Sequence, residues 1–176
     1  MSHWISVYCQ KPIKNLSASI LEKEIRRGCT DYRGYEYFDD MFAFVKVKEF
    51  ARKEEQSSLF HLTYKLKAKT SAAGKAPIVL ESIVKPEVVQ GMVQEQLEEY
   101  LKRRRGPKVA HVRKHLAKVA AIYSFCLKVG HCENEGRIVV CSAREFLAGE
   151  GKGMVREDGV GWLKWTRYGL FEALKE

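Results

Sequence analysis

No apolar run in this 176-residue chain approaches the ~20 residues a membrane helix needs; the longest strongly apolar stretch is about Val119–Leu127. The opening residues, Met1 to Tyr8, have neither a basic leader nor a long apolar segment, so the usual secretion signal is not expected. Cysteine is sparse and odd in number: Cys9, Cys29, Cys126, Cys132 and Cys141, with no CxxC. That usage reads as free thiols in a reducing cytosol, not as a disulfide framework. Proline occurs only at 12, 77, 86 and 107, so few positions interrupt regular structure. There is no internal repeat and no low-complexity linker.

The most telling absence is of acid. Leu101 to Cys132 contains nine Lys/Arg and no Asp or Glu. The remaining residues carry 22 basic and 22 acidic side chains, so this one segment accounts for the entire net charge of +9. Charge concentrated in one place makes a directed field, where scattered charge mainly confers solubility. With 45% hydrophobic and 30% charged residues, the rest of the composition is that of an ordinary globular domain.

The apolar pattern predicts a single α+β domain over 1–176, with a mostly antiparallel sheet and two hairpins packed against about four helices. His3–Cys9 sets Ile5, Val7 and Cys9 against Trp4, Ser6 and Tyr8, the period of a strand. A helix follows, capped by Ser17, with Leu16 stapled on Leu21, a buried stripe of Ile20, Leu21 and Ile25, and Gly28 as its stop. Asp39 is expected to cap a helix over about Asp40–Lys53, with a strand over Phe42–Val47 as the alternative. Phe60, Leu62, Tyr64 and Leu66 alternate with His61, Thr63, Lys65 and Lys67, and Pro77–Val84 supplies the partner strand of a hairpin with a long loop at 69–75.

Pro86 sits where a first helical turn tolerates it, and Val89, Val93, Leu97 and Leu101 continue that helix face to about Arg104. Gly106-Pro107 breaks the chain and starts a helix to about Lys118 that buries Val109, Val112, Leu116 and Val119. Val119–Val129 alternates as a strand. Asn134 caps a helix through Ala148 that stops at Gly149, although Ile138–Val140 would also suit a strand start. Asp158-Gly159 then joins Met154–Glu157 to Gly161–Trp165 as the second hairpin, and Leu170–Leu174 adds a short strand.

Chemistry-bearing motifs are few. His111 and His115 have the i,i+4 spacing of a metal pair, but Val-Arg-Lys lies between them, no Glu follows the first, and the neighbouring cations would repel Zn²⁺. Thr70-Ser-Ala-Ala-Gly-Lys lacks the first glycine and the Ser/Thr of a phosphate-binding loop. Cys126 and Cys141 lie in apolar runs and read as core. Asp39-Asp40 and Glu98-Glu99 are sequential, so each pair points apart and makes no acid/base couple. No cofactor, metal or catalytic residue is therefore assigned. Trp4, Phe60, Tyr64 and Phe146 read as core aromatics, while the acid-interleaved aromatics between Tyr32 and Phe44 suit either a contact surface or a packed connection.

The candidate partner-binding residues are Arg103, Arg104, Arg105, Lys108, His111, Lys114, His115 and Lys118. The last five fall on the side of their helix away from Val109, Val112 and Leu116. A run of charge is often no more than a solvated helix face. Here only Glu98–Lys102 and Glu99–Arg103 offer i,i+4 neutralisation, which leaves most of the charge uncompensated.

The strand Trp4-Ile-Ser-Val-Tyr8, together with Phe146-Leu-Ala-Gly-Glu-Gly-Lys-Gly-Met-Val-Arg-Glu-Asp-Gly-Val-Gly-Trp162, resembles immunity proteins of bacterial polymorphic-toxin systems. The resemblance covers about 25 residues and rests on turn chemistry. It implies a small cytosolic protein that neutralises a cognate toxin by binding it, without catalysis. A protein of charge +9 matches an acidic face better than a basic nuclease groove. The expectation is thus a cytoplasmic binding protein whose ridge engages an acidic protein partner. The alternative is a nucleic-acid-binding module, for which zinc-finger, RNP and GXXG motifs are missing.

Overall fold

Among the described residues eight strands form one open antiparallel sheet: β1 (Ser2–Cys9), β2 (Lys46–Arg52), β3 (Ser57–Thr63), β4 (Ile78–Ile83), β5 (Ala121–Lys128), β6 (Gly153–Glu157), β7 (Gly161–Trp165) and β8 (Phe171–Ala173). Their spatial order is β2-β3-β4-β5-β1-β6-β7-β8. Among the described residues four α-helices accompany the sheet: α1 (Ala18–Thr30), α2 (Pro86–Glu95), α3 (Pro107–Leu116) and α4 (Asn134–Gly151). The fold is α+β. This computed structural model describes residues 2–30, 45–52, 57–64, 77–102, 104–128, 134–166 and 171–174. The aromatics of 32–44, the loop at 69–75, Cys132 and Arg103 lie outside the described residues.

Alternation on β1 and β5 sends side chains into two separate apolar cores. One face, with Ile5, Val7, Tyr123 and Phe125, is covered by α1 and α4 through Leu21, Ile25, Val139 and Leu147. The other face, with Tyr8, Ile122, Met154 and Trp162, is covered at one end by α2 and α3 through Val89, Val93, Val112 and Leu116. The central strand β5 is therefore buried on both sides over most of its length.

Several expectations are corrected. Lys46–Arg52 is the edge strand β2, paired with β3 throughout, in place of the expected helix to Lys53 and further along the chain than the alternative strand over Phe42–Val47; residues before 45 lie outside the described residues. Val45 and Val47 face inward while Lys46 and Lys48 are exposed, a strand period with the lysines that guard a sheet edge. Each expected hairpin pair, β3–β4 and β6–β7, takes a third neighbour, β2 and β8. Ser17 does cap α1, accepting from the Ile20 amide at 3.3 Å. The buried stripe is Leu21, Ile25 and Cys29, with Ile20 exposed.

Gly28 and Gly149 do not end their helices. A Cβ on Gly28 would stand 2.8 Å from Ser142 Cβ, so this glycine lets α1 approach α4. Trp4, expected in the core, is 45% exposed. Cys126 and Cys141 are only half-buried, whereas Cys9 and Cys29 are buried, and the described cysteines are free thiols. Burial pushes the Cys9 thiol up to about 12 and the Cys29 thiol up to about 11.

The helix opened by Pro86 does not run evenly to Arg104. After α2 it widens into a π-turn over Gln96–Tyr100. Gln96 and Leu101, five residues apart, are both buried, while Leu97 is only half-buried. The Leu101 N–H donates to the Gln96 carbonyl at 3.1 Å, the i→i+5 bond of a π-turn, and such turns often mark functional sites. No described helix is long and apolar enough to cross a membrane.

Candidate functional site

The cationic ridge is built on the joint between the π-turn and α3. Gly106 adopts φ 118°, open to glycine at little cost, and Pro107 then takes the first helical position. Pinned at that joint, α3 buries Val109, Val112, His115 and Leu116. Lys108, His111, Lys114 and Lys118 project to solvent, as do Lys102, Arg104 and Arg105 before them. Arg105 Nη1 donates to the carbonyls of Lys102 and Arg104 at 2.9 and 3.0 Å. Arg113, half-buried, donates to the Leu101 carbonyl and ties α3 back to the π-turn. Among the described residues, no carboxylate lies within ion-pair distance of Lys102, Arg105, Lys108, Lys114 or Lys118.

His115 leaves the ridge. It is 8% exposed, and its Nε2–H donates to the Tyr8 carbonyl at 2.7 Å. That assignment makes Nδ1 the acceptor for Gln10 Nε2 at 3.2 Å. Burial, with a smaller push from the neighbouring His111, holds the imidazole below its ordinary 6.5, against the opposing pull of the Tyr8 carbonyl. His115 thus packs α3 onto the end of β1, and only His111 of the histidine pair faces solvent. Among the described residues, no three His, Cys, Asp or Glu side chains gather as metal ligands would.

A second feature is marked by no motif in the chain. Because α2 and α3 cover only one end of their sheet face, the remainder is an open groove of about 710 Å³. Its floor is a straight row across four strands. Glu81 of β4 pairs with Ser124 of β5, Ser124 with Ser6 of β1, and Ser6 with Arg156 of β6. The two serine hydroxyls share a 2.8 Å hydrogen bond. Tyr8, Ile83 and Met92 form the apolar wall under α2, and the half-exposed Trp4 forms the opposite rim.

Gln96, on the first residue of the π-turn, lines this groove. The residue is 8% exposed, and its Oε1 is buried with no hydrogen-bond partner among the described residues. The groove residues are spread from Trp4 to Asp158, and no local motif joins them. A hint in the sequence is the pair Ser6 and Ser124, each set between apolar neighbours on its strand. No family model matches this chain, and neither a curated protein nor a solved structure matches it.

Proposed function

We propose that this is a non-catalytic, cytoplasmic binding protein that docks an acidic protein partner on the ridge of Lys102, Arg104, Arg105, Lys108, His111, Lys114 and Lys118, in the manner of an immunity protein on its toxin. Arg103 belongs to the same run in sequence. His115 supports the helix from inside and is withdrawn from the contact set. One observation carries this reading: five exposed lysine and arginine side chains at the joint and along α3 have no intramolecular carboxylate among the described residues. Charge held out in this way raises the encounter rate with an acidic face and penalises basic partners.

The described part of the ridge exposes no large aromatic side chain. Single-stranded nucleic acid is commonly gripped by base stacking on aromatics, so an acidic protein surface is the better match. The test is co-purification and calorimetry with the product of the adjacent gene, using the wild type and a variant with Arg105, Lys108, Lys114 and Lys118 changed to Glu. The expected result is a stable complex that the charge reversal weakens at least 100-fold. Equal binding by the variant would remove the ridge as the interface. A duplex DNA or RNA probe bound with a log–log salt slope near −5 would favour the nucleic-acid alternative instead.

A further inference from the structure

The groove on the sheet is a different site from the ridge and has a different character. Its charged lining is mixed: Glu81, Glu95 and Asp158 against Lys85 and Arg156. Such a lining does not select a polyanion. It is instead polarised along the floor, where an acid on β4 and an arginine on β6 bracket two serines in register. Three strand spacings separate the outer Cα atoms by roughly 14 Å.

The geometry points to a binding site for a short linear peptide, three or four residues long, with both termini free. Such a peptide spans about 10–14 Å when extended. Its ammonium end matches Glu81 and its carboxylate end matches Arg156, where a guanidinium grips a carboxylate well. Between them, the Ser6 and Ser124 hydroxyls each donate or accept, which suits peptide N–H and C=O groups.

The Gln96 amide is the second, independent indication. A buried amide oxygen without a donor costs about 1–3 kcal/mol, and such a group in a native structure calls for an explanation. A peptide N–H brought alongside supplies the missing donor once the side chain turns to meet it. Gln96 stands three residues after Val93 and seven after Val89, on the inward face of α2, and so lies on the wall facing the polar floor. Met92, Val88 and the Trp4 indole leave an apolar contact for one bulky side chain, and a volume of about 710 Å³ lies within the usual range of small-ligand sites.

The probe is the tripeptide Ala-Phe-Ala with free termini, titrated by calorimetry and by amide chemical shifts of the labelled full-length protein. The expected result is saturable binding below 1 mM, with shifts centred on Ser6, Ser124 and Gln96. N-acetylation and C-amidation of the peptide should each weaken binding at least tenfold, a comparison that needs no variant to fold. Gln96→Leu should weaken it to a similar degree while leaving the melting temperature at or above that of the wild type. Absence of binding at 10 mM peptide, equal affinity for capped and free forms, or unchanged affinity in Gln96→Leu would each overturn the assignment. None of these outcomes depends on the ridge or its partner.

Discussion

His115 Nε2 lies 2.7 Å from the carbonyl oxygen of Tyr8, a hydrogen bond that joins the helix carrying the ridge to the central sheet beside the apolar packing of Val112 and Leu116. It also sets a pH dependence. Burial holds the folded-state imidazole below 6.5, so as pH falls the unfolded chain takes up this proton first. The contribution of His115 is complete above about 6.5 and is lost as pH drops through the folded-state value. The melting temperature should therefore fall between pH 7.5 and pH 5. In His115→Gln, circular dichroism melts should start lower at pH 7.5 and show a shallower decline. A variant that kept the full decline would assign the acid sensitivity to other groups.

The approach of α1 to α4 gives a second test. Gly28→Ala adds helix propensity worth about 1 kcal/mol. It also pushes a methyl to 2.8 Å from Ser142 Cβ and 3.1 Å from its hydroxyl, and overpacking of that kind costs about 1–3 kcal/mol. The clash should win, giving net destabilisation of about 1 kcal/mol in urea unfolding. Adding Ser142→Gly removes the atoms in the way, so the double variant should be more stable than the sum of the two single losses.

Arg144 on α4 is the subject of the third. It is only 12% exposed by side chain and pairs with Glu157 of β6 at 2.9 Å, while its guanidinium lies 4.4 Å over the Phe171 ring of β8. Arg144→Met should cost about 3 kcal/mol, because among the described residues it leaves the mostly buried Glu157 carboxylate with His3, 3.6 Å away, as its ion-pair partner. Changing Glu157 to Leu as well should recover a large part of that loss, since replacing both charges is far cheaper than stranding one. Chemical unfolding of the three variants supplies the cycle.

What could be read from the sequence followed from periodicity and local punctuation. β1 and β3 alternate, β4 and β5 are largely apolar runs of strand length, and Asp158-Gly159 announces its turn with a φ of 74° at Gly159. β2 is ambiguous between helix and strand in sequence because the inward Val45, just before it, and Val47 are followed by Glu49, Phe50 and Ala51, all exposed. Its identity is decided by β3, not by its own pattern. Gln96 stands at the i+3 position of Val93 and the i+7 position of Val89, so helix periodicity alone puts it on the buried face; its polar side chain is what kept it off the expected Val89–Val93–Leu97–Leu101 stripe. The ridge was legible because charge is counted without knowing the fold. His115 was not, because its inward turn depends on Tyr8, more than a hundred residues away. The groove exists only because two helices stop short of covering a sheet face, and no residue pattern encodes that.

The two tryptophans on this face should separate stability from binding. Trp162 is 2% exposed and packs against Tyr8 with the rings tilted by 53° and their centroids 5.1 Å apart, so Trp162→Ala should cost about 3–5 kcal/mol. Its indole N–H is buried without a partner among the described residues. Trp162→Phe removes that unpaired donor along with some volume, and the two effects oppose each other; the loss should stay below about 2 kcal/mol. Trp4, 45% exposed on the groove rim, contributes little packing, and Trp4→Ala should change stability by no more than about 1 kcal/mol. Thermal melts of the three variants decide the matter: a large loss for Trp4→Ala would mean that its indole packs as a structural element, and the rim would no longer be free to take up a side chain from solution.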